Sequence, residues 1–370
     1  MAARAVSESP PPPAGNGALR RFWHFSQGFW QGPTAGVAWG LICLLVVCVV
    51  LQLLVQYRLN LWNRDFFNAL EFRNGPEILR QTALLLLLVV LSVALAIVAV
   101  WGRMTFQRSW RQWVTRALVE AWIGEDRYRR VDLWNGEHQN PEYRIAEDAR
   151  LATDAPIDLL VGLLGAVLSA GTFVVVLWHV GGSLDFKVLG WSLEIPGYLV
   201  VSVVVYSLVT TGAMMLVGRH MVGVIESKNQ AESELKYAVA HLRESATASL
   251  PPADLTATTA AVGTALRDVI GQWRRLCGQH MRTTLVSHSN SLLAPLVGLI
   301  LCVPHYIHGN MQLGEVTQAA AAFVAVQGAF NWLVDNYPRL AEWLSSANRV
   351  GTLLAAFERL TARPPDGGRD

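Results

Sequence analysis

Two sets of polar side chains recur every four residues inside otherwise apolar stretches. Gln52, Gln56, Asn60 and Arg64 form the first, and Gln327, Asn331, Asp335 and Arg339 the second. A spacing of four places each set on one face of a helix. Amides on such a face can hydrogen-bond a polar solute, and a carboxylate can also carry a proton. In apolar surroundings an isolated carboxylate favours its neutral form, so Asp335 has the chemistry of a proton-coupling group. Two structural readings stand beside these. The polar sets would serve equally as hydrogen-bonding glue between helices, and Asp335 would pair with Arg339 one turn away. Other acids, Glu71, Asp158, Asp185, Glu194, Glu226 and Glu315, sit at the ends of apolar stretches, where solvation accounts for them.

Catalytic and metal chemistry find little support. His305 and His308 are three apart at the edge of an apolar run, and no H-E-x-x-H pair occurs. The four cysteines, Cys43, Cys48, Cys277 and Cys302, show no C-x-x-C pair and read as small hydrophobes. No G-x-x-x-x-G-K-[ST] sequence is present, and the three lysines, Lys187, Lys228 and Lys236, lack that context. The expectation is a chain that is not an enzyme, with no cofactor and no metal.

What must position the polar faces is a set of membrane helices. The composition is 52% hydrophobic and only 16% charged, against about a quarter charged for soluble domains. A bilayer core needs about 20 apolar residues in a helix. Six windows qualify, at residues 36–57, 82–101, 159–180, 196–217, 284–307 and 317–337, the last being the most interrupted by polar residues. Of the 30 Lys and Arg, 25 fall on one set of alternating segments and 5 on the other. The positive-inside rule places both termini and the two long loops in the cytoplasm. Many of the 14 tryptophans, among them Trp62, Trp101, Trp178, Trp191 and Trp343, fall near the expected interfaces. A net charge of +2 gives no argument for nucleic acid.

The two long loops, residues 102–158 and 218–283, are not linker-like. Each reads as a helix leaving the membrane, a turn and a returning helix. The fourth span is expected to run straight on until just before Pro251-Pro252, which cannot continue it. Asn140-Pro141 reads as the cap and first residue of a short helix at the tip of the first long loop, with Glu142 complementing its dipole. The proline-rich segment 1–19 reads as a disordered cytoplasmic tail, residues 20–360 as one transmembrane domain, and 361–370 as a cytoplasmic tail.

Three local sequences carry a resemblance. The first runs from Asn60 to Leu70, Asn-Leu-Trp-Asn-Arg-Asp-Phe-Phe-Asn-Ala-Leu. The second is Asn140-Pro141-Glu142-Tyr143-Arg144-Ile145-Ala146-Glu147-Asp148, similar to an N-P-x-x-R-I-x-E-D segment. The third runs from Phe323 to Tyr337, with Val326-Gln327-Gly328-Ala329-Phe330 and Val334-Asp335-Asn336. Together they resemble the SbmA/BacA-like and peroxisomal-type ABC permeases, over roughly residues 20–360. The resemblance implies an all-α membrane protein with the exporter-type fold, six spans and long cytoplasmic helical extensions. It implies a homodimer in a bacterial inner membrane, moving peptides or bulky amphiphiles by alternating access. Gln52, Gln56, Asn60, Gln327, Asn331 and Asp335 would line the cavity, with Asp335 coupling protons.

Members of this group usually continue into a nucleotide-binding domain, whereas about 30 residues follow the last window here. The segment Leu242-Arg243-Glu244-Ser245-Ala246 begins like the family's L-R-x-x-A-E-x-I-A sequence and then diverges. Both departures favour a proton-driven carrier of the SbmA/BacA kind. The alternative is a permease driven by a separate ATP-binding subunit that docks on Asn140, Pro141, Arg144, Glu147 and Asp148.

Overall fold

The computed structural model describes residues 16–124, 127–128, 141–188, 191–247 and 252–362. Its helices are α1 (Asn16–Gln31), α2 (Ala35–Glu71), α3 (Gly75–Ile123), α4 (Pro141–Gly181), α5 (Tyr198–Gly218), α6 (Met221–Thr247), α7 (Pro252–Ile307) and α8 (Leu313–Ala362). A two-stranded antiparallel hairpin, β1 (Ser183–Val188) and β2 (Trp191–Pro196), joins α4 to α5. The all-α expectation did not include this hairpin. Five helices are long and apolar enough to cross a membrane: α2, α3, α4, α5 continuing into α6, and α7. Two compact units result. One comprises residues 1–172 and 335–370, the other 173–334, so α4 and α8 each contribute to both.

In the first unit α2 and α3 form an antiparallel pair. The reversal at Phe72–Asn74 uses Arg73 in the left-handed region (φ 52°). Asn74 then caps α3 by accepting a hydrogen bond from the Glu77 N–H, with Pro76 in the first turn. Trp62 Nε1 donates to the Gln81 carbonyl at 2.8 Å, and Gln52 Nε2 to Ser92 Oγ at 2.9 Å, which fixes the register. Lower down, Gly102 lets Leu44 and Leu45 approach the α3 backbone.

Much of the core of this unit lies beyond the apolar windows. Phe106, Trp110, Val114 and Leu118 repeat every four residues along α3 and are buried. They meet Phe22 and Phe29 from α1, Ile145, Ala149 and Ala152 from α4, and Ala347, Val350, Leu353 and Phe357 from α8. The Phe29 ring stacks on Trp110 at 6.2 Å with 20° between planes. Gly351 leaves room for the Ala18 carbonyl of α1.

In the second unit α5 and α6 run antiparallel to α7. Tyr198 Oη donates to the Leu301 carbonyl at 2.9 Å, and Trp273 Nε1 to Glu232 Oε1 at 3.2 Å. Gly197, at φ 63°, turns the chain out of the hairpin against the face of Trp178. The fourth span was expected to continue unbroken, but Arg219–His220 form a two-residue turn between α5 and α6. Gly218 and Gly223 flank that turn, and glycine is a weak helix former. Cys48 and Cys302 are buried as expected of small hydrophobes, whereas Cys43 and Cys277 are exposed.

Candidate functional site

The first polar set lies in the first unit. Gln52 and Gln56 share a cavity of about 410 Å³ with Cys48, Leu95, Ala99 and Gly165. The Gln52 amide nitrogen is taken by Ser92, while its buried Oε1 has no partner among the described residues. Asn60 is buried at 3% exposure. Arg64 turns away to Asp65, at 3.1 Å, and Arg58 reaches the same carboxylate at 3.5 Å. The first set therefore divides into a cavity pair, a buried amide and an ion-paired arginine.

The second set lies along α8. Gln327 and Asn331 belong to the second unit, and Asp335 and Arg339 to the first. Gln327 is buried, and its amide nitrogen has no partner among the described residues. Asn331 is half-buried. Asp335 is exposed and makes no hydrogen bond or ion pair among the described residues. The Asp335–Arg339 pair that the spacing allows does not form, because Arg339 Nη2 donates to Asp158 instead.

Asp158 gathers three helices. Besides Arg339 of α8, it accepts from Gln107 Nε2 of α3 at 3.0 Å and pairs with Arg103 at 3.3 Å. The same Gln107 nitrogen donates to the Asp154 carbonyl at 2.7 Å. The carboxylate was read as a solvated span-end acid, but its side chain is only 11% exposed. Two guanidiniums and an amide satisfy its oxygens there. Around this hub lies an open cleft of about 980 Å³, walled by Gln107, Arg108, Arg111, Thr115 and Arg116 on α3 and by Asp154 and Asp158 on α4.

The segment after Asn140 is built differently from a simple capped helix. Asn140 lies outside the described residues. Pro141–Tyr143 is α-helical, and Arg144–Asp148 is one π-helical turn. The wider turn adds a residue to the circumference, and such turns recur at functional positions. It directs Arg144 and Asp148 toward α8. Arg144 Nη1 donates to Thr352 Oγ1 at 3.2 Å, and Asp148 is bound by Arg349. Glu147 pairs with Arg150, whose hydrogen bond holds the Glu147 carboxyl below its ordinary range. Pro141 is buried, while Glu142 and Tyr143 remain exposed.

Residues 32–307 match the family described as ABC transporter transmembrane region 2. The chain belongs to this family. The match covers α2 to α7, which carry the first polar set, the cleft walls on α3 and α4, and the π-helical turn.

Similar proteins extend the comparison of this ABC transporter transmembrane region beyond the matched segment. An Escherichia coli K12 protein named Inner membrane ABC transporter ATP-binding protein YddA is 25% identical over 341 residues, or 91% of this chain and 60% of that one. A Haemophilus influenzae protein named as an ABC transporter ATP-binding protein is 24% identical over 229 residues, or 61% of this chain and 37% of that one. The Arabidopsis thaliana protein named ABC transporter D family member 2, chloroplastic, is 17% identical over 292 residues, or 79% of this chain and 39% of that one. The chain thus spans at most 60% of the length of these relatives.

Sequence reasoning missed Asp158 as a hub and passed over Arg108, Arg111 and Arg116. The last three carry a signal in the sequence, since Arg111 and Arg116 lie three and eight residues from Arg108 and so flank it around the helix. They had been counted only as topological charge. His305 stacks on Tyr198 at 5.3 Å, with 14° between the rings, near the end of α7.

Proposed function

We propose that the chain is the membrane-spanning subunit of a transporter that moves peptides or bulky amphiphiles across a bacterial inner membrane by alternating access. It works as a homodimer, with six spans and both termini in the cytoplasm. The sixth span is the 317–337 stretch of α8. Its hydropathy is lowered by Gln318 and Gln327, both buried, as polar groups at membrane depth should be. The distribution of Lys and Arg, 25 against 5, supports the orientation. The polar faces of α2 and α8 supply the hydrogen bonds for a solute, and a second copy completes the cavity.

One observation carries the proton-coupled reading. Asp335 stands without an ion pair while the arginine one turn away is held by Asp158. A carboxylate left without a counter-charge is available to take and release a proton as its surroundings change. Uptake of a labelled peptide pool into proteoliposomes holding only this chain tests it. Gradient-dependent uptake without ATP is expected, and Asp335→Asn should abolish the gradient dependence. Unchanged gradient-driven uptake in that variant would remove Asp335 from the role.

A second reading is favoured by the relatives' names, which describe ATP-binding proteins. A separate ATP-binding polypeptide would dock on the exposed side of the 140–148 segment, where Tyr143 is 62% exposed. Purification from the native membrane with a bound ATPase, and ATP-dependent uptake by the complex, would replace the first reading with this one.

A further inference from the structure

We propose that the arginine-lined cleft of α3 binds the phosphodiester headgroup of an anionic phospholipid. Three observations converge on it. Arg108, Arg111 and Arg116 are exposed in the cleft and make no hydrogen bond or ion pair among the described residues. Of the acids that share the cleft, Asp158 and Asp154 have other basic partners, and Asp154 also feels the charge of Arg111. Asp158 is held by Arg339 and Arg103, and Asp154 lies 3.6 Å from Arg150. Glu120 stands one turn beyond Arg116, at the far end, without an ion pair to it. Arg108 and Arg116 therefore have no charged partner among the described residues, Arg111 is partly offset by Asp154 and Glu147, and the forked donors of all three match phosphate oxygens.

Depth selects a lipid as the source of the phosphate. The apolar window of α3 ends at Trp101, and Arg108 follows about 10 Å further along the helix at 1.5 Å per residue. The headgroup layer extends some 5–8 Å beyond each side of the hydrocarbon core, and helical side chains lean toward the helix N-terminus, here the membrane side, so the Arg108 guanidinium reaches back toward that layer. The side chains leading into the cleft from the membrane are apolar and uncovered: Trp101 is 60% exposed, Met104 62% and, on α4, Leu160 60%. Acyl chains lying on these residues would deliver a headgroup to Arg108 and Arg111. Basic pockets between helices on the cytoplasmic side suit such headgroups. The cleft would then be a lipid site beside the transport path, resting on the same span boundaries as the transport proposal.

Native mass spectrometry of the full chain in mild detergent tests this without any transport assay. Phosphatidylglycerol and phosphatidylcholine with identical acyl chains are added in turn. Phosphatidylglycerol adducts are expected to dominate, and to fall about tenfold or more in Arg108→Gln/Arg111→Gln/Arg116→Gln. Arg267→Gln/Arg274→Gln/Arg275→Gln, which removes equal charge from α7, should leave them unchanged. Arg111→Gln alone should give a smaller loss and serves if the triple variant does not fold. Equal adducts with both lipids, equal losses in the two triple variants, or displacement of phosphatidylglycerol by millimolar inorganic phosphate would each overturn the proposal, the last by assigning the cleft to a soluble anion. Uptake assays address a separate question, so loss of the transport reading would leave this result standing.

Discussion

The buried carboxylate of Asp148 accepts three hydrogen bonds from the Arg349 guanidinium, two from Nε at 2.9 Å and one from Nη2 at 2.7 Å. Asp148 is 1% exposed, whereas the Arg349 side chain is 42% exposed and is also held by Ser345 and Ser346. The pair fastens the π-helical turn of α4 to the last helix. Arg349→Ala leaves a buried charge without its partner and should cost about 2–3 kcal/mol, the partial exposure keeping it below the fully buried case. Asp148→Asn leaves a guanidinium that water can reach and should cost less. Midpoints of unfolding in a denaturing-detergent titration, read for both single variants and the double variant, give the coupling directly.

Trp110 anchors the aromatic cluster that joins α1 to α3. It is 1% exposed and touches Phe22, Phe29, Trp30 and Phe106 at ring distances from 5.8 to 6.4 Å. Trp110→Ala should cost about 3–5 kcal/mol by emptying that site. Trp110→Phe, which keeps most of the apolar contact, should cost markedly less. Thermal unfolding followed by a thiol-reactive dye in a Cys43→Ser/Cys277→Ser background, which leaves only the buried Cys48 and Cys302 as targets, reports both.

Gly351 sits where α8 passes the first turns of α1, and a Cβ there would collide with the Ala18 carbonyl. Backbone cannot yield as a flexible side chain can, so Gly351→Ala should destabilise by about 1–3 kcal/mol. Limited proteolysis should cut near residue 16 sooner in this variant. Unchanged cleavage would mean that α1 tolerates the shift.

The Glu147–Arg150 pair gives a pH dependence of known sign. The Arg150 hydrogen bond lowers the folded-state pKa of Glu147. Its contribution is therefore present above the ordinary carboxylate pKa and is lost as pH falls through the lowered value. Both side chains are solvent-accessible, so the effect is small. Glu147→Gln should flatten that part of the acid limb of stability against pH and leave neutral-pH stability nearly unchanged, as measured by unfolding midpoints across the acid range.

The membrane helices were legible because burial in lipid writes itself as unbroken apolar length. Five of the six windows fall in helices that meet the length and composition needed for crossing. The sixth window falls in α8, a 50-residue helix whose polar side chains dilute its hydropathy. Gln52 and Gln56, four residues apart, line the same cavity, because helical period alone brings such residues to one face. The hairpin was not legible. Its two strands, six residues each, are too short to contrast with the apolar helices on either side.

The sequence by itself determined the family, the apolar helices and the faces on which polar residues lie, since these depend on composition and period within one segment. Tertiary structure decided the partners. Asp158 and Arg339 are 181 residues apart, and Asp148 and Arg349 are 201 apart. Local spacing instead offered Arg339 to Asp335. The choice went to Asp158 because folding brings α3, α4 and α8 together there and buries its carboxylate, and a buried carboxylate needs hydrogen-bonding and charged partners. The same contact leaves Asp335 without its neighbouring arginine.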